Sequence, residues 1–550
     1  MNDTPKRVGG RPNERPSLFA ELPEPVRESL LAVARPVALR AGEWLFEADE
    51  DADALFLVGG GRLEAMVEDE VVREIGRDEI VGELAVLAYA TRSAGVRARR
   101  DSSLLRIEAA DFRSALEADV GAQRAVTTAL AAQLQRSRGL EDGSSSEPRV
   151  ISLIGGSPDA PVEVAAELLI DGLRRSLKVA APGRVGIEEL DRAERDCDRV
   201  VLVASEADSA SWRRFSLRQA DRLVVVARAD SPPLPLTLDR PSYVILVGDA
   251  PSRRALLAWH DAAGPRRLIT CRESALVEAV GQVAARLAGR SLGVTLAGGG
   301  ARAFAAIGVL QELEAGGRAV DRISGCSVGG VIAALYATGQ DAAAVDAACY
   351  EEFVRRNPFR DYTVPRVAIS RGRKTEAALR RRLGDVHFEE LPRELALVST
   401  DMLNHTAVVH RRGLVRTALR ASLSLPGLFP PARMDSSLHV DGGVLDNLPV
   451  SALAADEGPI VAVNISAGGR LTRGSEPPRM PALPETLLRS IMMGGASAIS
   501  AGRRRAAVVV TPDTRGIGLL EFHQIDRAVE AGRAAGRAAL EALAARSPQS

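Results

Sequence analysis

Ile323-Ser-Gly-Cys-Ser-Val-Gly-Gly330 is the stretch that decides the fold. It reads as an apolar strand, then Gly325-x-Ser327-x-Gly329, then an apolar helix predicted over 331–338. Small residues on both sides of a serine allow a tight strand-to-helix elbow that presents the hydroxyl at the end of a sheet. Ser327 is therefore the candidate nucleophile.

Working outward, two further motifs bracket the elbow. Upstream, Leu296-Ala-Gly-Gly-Gly-Ala-Arg302 runs from a strand into a glycine-rich turn and a helix predicted over 304–314. Such a turn can aim backbone N–H groups outward at a helix start, where negative charge is favoured. Alone it reads equally well as a phosphate loop or a tight packing turn. Downstream, Leu438-His-Val-Asp-Gly-Gly443 ends a short strand on Asp441 and turns away sharply. By itself that is an aspartate in a turn. Only the fold can bring it to Ser327.

Together these residues resemble the patatin-like phospholipases, whose pattern is a GGG-x-R loop, a GxSxG elbow and a DGG turn. Tyr336-Ala-Thr-Gly339, Thr400-Asp401 and Ser422-Leu-Ser-Leu-Pro-Gly-Leu-Phe-Pro-Pro431 match as well. The resemblance covers residues 291–550. It implies a Ser327–Asp441 dyad in which Asp441 is the general base. It also implies an oxyanion loop of Gly298, Gly299 and Gly300 held by Arg302, a lipid substrate, and no cofactor or metal for catalysis. Two positions depart from the family pattern: Ala303 replaces the glycine after the arginine, and Ala306 replaces a histidine. A Cβ at 303 is harmless unless the loop requires positive φ there. Ala303 thus motivates a rival assignment, a nucleotide-responsive scaffold with a weak or inactive esterase domain. A second rival transfers the acyl group to an acceptor other than water. His439 lies two residues before Asp441 and offers a histidine triad, against local packing or hydrogen bonding. Leu423–Phe429 reads as core or acyl groove ahead of membrane contact.

The N-terminal part has a different rhythm. Short alternating runs such as Ala54-Leu-Phe-Leu-Val58 are separated by close turn signals, as in an antiparallel roll, and helical spacing begins near Ala122. Gly82-Glu-Leu-Ala-Val-Leu87 followed by Arg92-Ser-Ala94 resembles the phosphate cassette of cyclic-nucleotide-binding domains. The resemblance implies contacts to cAMP or cGMP from Gly82, Glu83, Leu84, Ala85, Arg92 and Ser93. The alternative is a relic roll that serves only in packing. Between 150 and 290, runs such as Val200-Val-Leu-Val203 and Leu223-Val-Val-Val226 alternate with amphipathic helices, the pattern of a parallel α/β layer. Trp212-Arg-Arg-Phe-Ser-Leu-Arg-Gln-Ala-Asp221 resembles the linker region of neuropathy-target-esterase-type lysophospholipases.

The expected architecture is multidomain. A disordered tail occupies 1–17, a β-roll with helices 18–140, a polar linker 141–149, an α/β middle domain 150–290 and an α/β patatin-like hydrolase domain 291–550. At 550 residues the chain is too long for one core. A net charge of -1 gives no case for nucleic acid. The four cysteines form no CxxC pair or metal-ligand spacing, and the polar start lacks an apolar leader. The expectation is a cytoplasmic protein that meets lipid from the aqueous side, peripheral to the inner face of the membrane.

Overall fold

The computed structural model describes residues 18–68, 70–137, 148–233, 242–359, 361–364, 366–465 and 495–546. The expected tail at 1–17 and most of the expected linker at 141–149 lie outside the described residues. The chain falls into two compact units. The first holds residues up to Ala166 and Leu177–Val226; the second holds Glu167–Ser176, the stretch after Val226 and everything from Ser242.

In the first unit, the long strands Ala54–Val67 and Gly95–Glu108 pair antiparallel along most of their length. Glu70–Ile75 folds back on one and Arg35–Leu39 lies against the other. Alternation sends Phe56 and Val58 into the roll, and the register shifts between Val58 and Leu63 bring Leu63 to the same side, while Leu55, Leu57 and Ile107 meet Leu30 and Phe112 of the flanking helices. The same unit holds parallel strands in which Val150–Gly155 pairs with both Arg199–Ala204 and Arg222–Arg228. Their near-continuous apolar sequences suit strands covered on both faces. Arg62 and Arg100, both on the roll, face the fully buried Asp221 at 3.5 and 3.8 Å.

The second unit is organised on an eight-stranded sheet. Val508–Val510, Ile460–Val463, Leu292–Leu296, Val320–Cys326 and Glu394–Asp401 run parallel. Ser437–Asp441 and Thr406–His410 join Glu394–Asp401 antiparallel. Helix Ala305–Ala315 crosses the long helix Ile525–Arg546 at close quarters, and glycines make this possible. A Cβ on Gly308 would stand 2.0 Å from the Val529 carbonyl, and one on Gly532 1.9 Å from that of Ala305.

The two ends of the parallel strands differ in chemistry. At the start of Val320–Cys326 and Glu394–Asp401, buried Arg286 bonds Asp321 at 2.8 Å and Glu457 at 2.9 Å, and also pairs with Glu394. The opposite, carboxyl ends carry Ser327 and the glycine loop, the end where open α/β sheets place their ligands.

Candidate active site

Strand Val320–Cys326 passes directly into helix Ser327–Ala337, and Ser327 stands at the joint with φ +54. A non-glycine residue in that region is strained and persists only where its surroundings hold it. The glycines on either side are required by space. A Cβ on Gly325 would lie 2.8 Å from the Gly329 carbonyl, and one on Gly329 2.5 Å from that of Ala297. The Ser327 amide donates to Ser422 Oγ at 2.9 Å, so the joint is fixed from across the site. Ser327 itself is only half-buried.

Asp441 closes strand Ser437–Asp441 and is 1% exposed. Its amide donates to the Ser424 carbonyl at 3.0 Å. Its Oδ1 accepts from the Gly443 N–H at 2.9 Å and from the Cys326 thiol at 3.5 Å. Among the described residues, Oδ2 is buried with no hydrogen-bond partner. The Ser327 hydroxyl is near enough to favour the ionised form of Asp441, yet falls short of a formed bond to Oδ2. Burial dominates and pushes the carboxyl up to about 6, against the opposing pull of Ser327, Gly443 and Cys326. A carboxylate held on one oxygen and bare on the other, beside a strained serine, is equipped to accept a proton.

The glycine loop faces this pair. A Cβ on Gly298 would come within 3.0 Å of Ser327 Cβ. The Gly298 amide is already committed to the Asn447 carbonyl at 3.3 Å, while Asn447 Nδ2 donates back to the Gly298 carbonyl at 3.0 Å. Gly298 is thus a close-approach residue rather than a free oxyanion donor, which narrows the expected loop. Among the described residues, the amides of Gly299 and Gly300 have no partner. Gly300 has φ +56, and the loop is tied down by Ala301 N–H to Leu519 O at 2.8 Å and Arg302 Nε to Ile517 O at 2.7 Å. Ala303 sits in the following turn without positive φ, and its Cβ is buried in the core. The condition under which it would distort the loop is not met.

Among the described residues, His439 forms no hydrogen bond to the Asp441 carboxylate. Its Nδ1 lies 2.8 Å from Ser399 Oγ, which also meets His410 Nε2 at 2.7 Å. Burial, with His439 nearby, lowers His410 to about 4. Leu423 and Phe429 are core residues, 4% and 2% exposed. Sequence reasoning missed two groups, Ser422 and Asn447. Ser422 was within a motif already singled out; Asn447, just past the DGG turn, carried no signal beyond being an amide there.

In the roll, Gly82 takes φ +87 and caps the six-residue helix Glu83–Ala88. Glu83 is buried and burial raises its carboxyl; Ala85 is also buried, whereas Leu84 and Ser93 are exposed. Arg92 is 3% exposed and turned inward. It donates to Gly82 O at 3.1 Å and Ala54 O at 2.6 Å, with Phe46 beneath the guanidinium at 4.1 Å. The cassette residues are together, but in this conformation the arginine serves the roll rather than an open phosphate site.

Two family models match the chain: patatin-like phospholipase over residues 294–454 and cyclic nucleotide-binding domain over residues 36–119. A protein of Mycobacterium tuberculosis (strain ATCC 25618 / H37Rv), named as a member of the NTE family, is 36% identical, with 96% of this chain and 95% of that protein covered. The chain belongs to the NTE family. It combines a cyclic-nucleotide-binding β-roll with a C-terminal patatin domain. Another NTE-type relative, lysophospholipase NTE1 of Cryptococcus neoformans var. neoformans serotype D (strain JEC21 / ATCC MYA-565), is 27% identical over 76% of this chain. Lysophospholipase nte1 of Aspergillus fumigatus (strain ATCC MYA-4609 / CBS 101355 / FGSC A1100 / Af293) is 25% identical over 92%. The chain spans only 31% and 42% of those two fungal proteins. Among the described residues of this NTE-family chain, no helix is long and apolar enough to cross a membrane.

Proposed function

We propose that this protein is a serine esterase that hydrolyses acyl esters of lysophospholipids or phospholipids through Ser327 and Asp441. The observation that carries the reading is the pairing of a positive-φ serine at a strand–helix elbow with a buried aspartate whose Oδ2 is bare. Ser327 Oγ attacks the ester carbonyl carbon while its proton passes to Asp441 Oδ2. The carbonyl oxygen takes the negative charge and is met by the amides of Gly299 and Gly300, with Arg302 holding their loop. Removing one such donor typically costs about 3 kcal/mol of barrier. The proton returns to the departing alkoxide, leaving an acyl-serine. Water then attacks with Asp441 again as base, and the fatty acid leaves.

The fungal relatives' name, lysophospholipase, supports the substrate class. The domain division at 18–140, 150–290 and 291–550 belongs to the same reading, with cAMP or cGMP as a regulatory ligand of the roll and no cofactor in catalysis. The enzyme reaches its lipid from water at a membrane surface. The test is purified protein against a panel of lysophospholipids, phospholipids and short esters, alongside an active-site fluorophosphonate. Labelling and turnover are expected in wild type and absent in Ser327→Ala. Labelling that persists in the variant refutes the nucleophile.

A further inference from the structure

The second unit contains a cleft of about 310 Å3 that the mechanism above does not use. Arg416 and Arg420 line it from helix Val415–Ser422, Arg433 from strand Ala432–Met434, and Glu376 and Leu379 from helix Arg373–Leu383. Three arginines and one glutamate therefore line it, with Asp385 paired to Arg416. Arg416 is steadied by Asp385 at 2.9 Å, and Arg420 by Ser424 Oγ at 2.6 Å and Pro430 O at 3.2 Å. Each guanidinium has five N–H donors, so both keep donors to spare. Arg433 is exposed and has no partner among the described residues.

The cleft is wired to the dyad. Ser422, two residues after Arg420, accepts the Ser327 amide. Ser424 accepts Arg420 on its hydroxyl and the Asp441 amide on its carbonyl. Leu379 also borders a small void of about 30 Å3 lined by Val331 and Leu335 of the elbow helix and by Leu423. One leucine thus separates a basic wall from an apolar one, beside the elbow.

We infer that this cleft binds the phosphate of the substrate's head group, so that the protein prefers phosphate-bearing lipids to neutral glycerides of the same acyl chain. Planar guanidinium forks match phosphate oxygens in pairs, and an arginine already oriented loses less freedom on binding. The inference rests on the esterase reading for its relevance to turnover, but the binding it describes is separable from hydrolysis.

The test uses the full chain with palmitoyl lysophosphatidylcholine and monopalmitoylglycerol, which share the acyl ester and differ in the phosphate. Wild type should favour the phosphate-bearing substrate in kcat/KM. Arg433→Glu should reduce that preference about tenfold, the scale of one lost charged hydrogen bond, chiefly through KM. Arg433→Lys should restore part of it. Arg433 is exposed, so these variants retain the fold. An unchanged preference, or an equal loss on both substrates, overturns the inference. Inorganic phosphate separates the two sources of this chemistry. Competition with the lipid that Arg433→Glu abolishes supports the head-group site. Binding of inorganic phosphate that Arg433→Glu weakens, with lipid preference intact, assigns the cleft to free phosphate and overturns it. The Ser327→Ala protein reads affinity without turnover. Tighter retention of the lysophospholipid than of the glyceride, lost with Arg433→Glu, upholds the cleft even if wild type hydrolyses neither substrate.

Discussion

Replacing Asp441 with asparagine should destroy activity and stabilise the protein, with a pH dependence that the structure fixes. Burial moves the Asp441 carboxyl from 3.8 to about 6 in the folded chain. The folded state therefore binds this proton more tightly than the unfolded state. Stability falls as pH rises from about 4 through about 6, and above that the ionised carboxylate carries a penalty of about 3 kcal/mol. About half of that accrues between pH 5 and pH 8. Asparagine is nearly the same size and carries no charge, so its stability advantage should be about 1.5 kcal/mol larger at pH 8 than at pH 5. The measurement is a pair of urea unfolding curves on the full chain at each pH. The transition to follow is the one that exposes Trp259, which is buried in the second unit. In parallel, hydrolysis by the variant should fall by about 100-fold or more, since general-base assistance is lost. An asparagine variant that is less stable by the same amount at both pH values would refute the reasoning. The Asp441 charge would then not be opposed by its burial.

Three other perturbations probe the same physics. The kcat/KM profile should show an acidic limb near pH 6, because Asp441 must be ionised to accept a proton; Cys326→Ser, a stronger donor to Oδ1, should move that limb to lower pH, and a limb near pH 4 in wild type would remove Asp441 as the base. Gly308→Ala forces a Cβ against the Val529 carbonyl, so the second unit should lose about 1–3 kcal/mol or more in denaturant unfolding, with an unchanged midpoint counting against the close helix crossing. Arg92→Ala should destabilise the roll by about 1–3 kcal/mol by orphaning the Gly82 and Ala54 carbonyls, and calorimetry with cAMP and cGMP shows whether the wild-type arginine can leave that position for a phosphate.

How much of this was legible depended on how local each constraint is. The elbow could be read because the Gly325–Gly329–Gly330 contacts lie within six residues of one another. The roll and the parallel layer could be read because alternating and continuous apolar runs record burial on one face or two. The role of Ser422 does not show in its motif, since its bond to the Ser327 amide spans 95 positions. Arg92 was expected to face a phosphate, and instead closes on two carbonyls, one of them 38 positions away. A residue's type tells what it can bond, not which of several partners will reach it.

By itself the sequence determined the order of the motifs, the glycine-dependent turn at Ser327 and the kinds of layer the chain builds, because sterics and apolar periodicity act over a few residues. Only the tertiary structure decided that Asp441 is pinned on Oδ1 by Gly443 and Cys326 and bare on Oδ2. It also decided that Ala303 fits without strain, and that Asn447 takes the Gly298 amide, leaving Gly299 and Gly300 free among the described residues. Those outcomes follow from which strands lie side by side, and from how much water is left around each polar atom once they do.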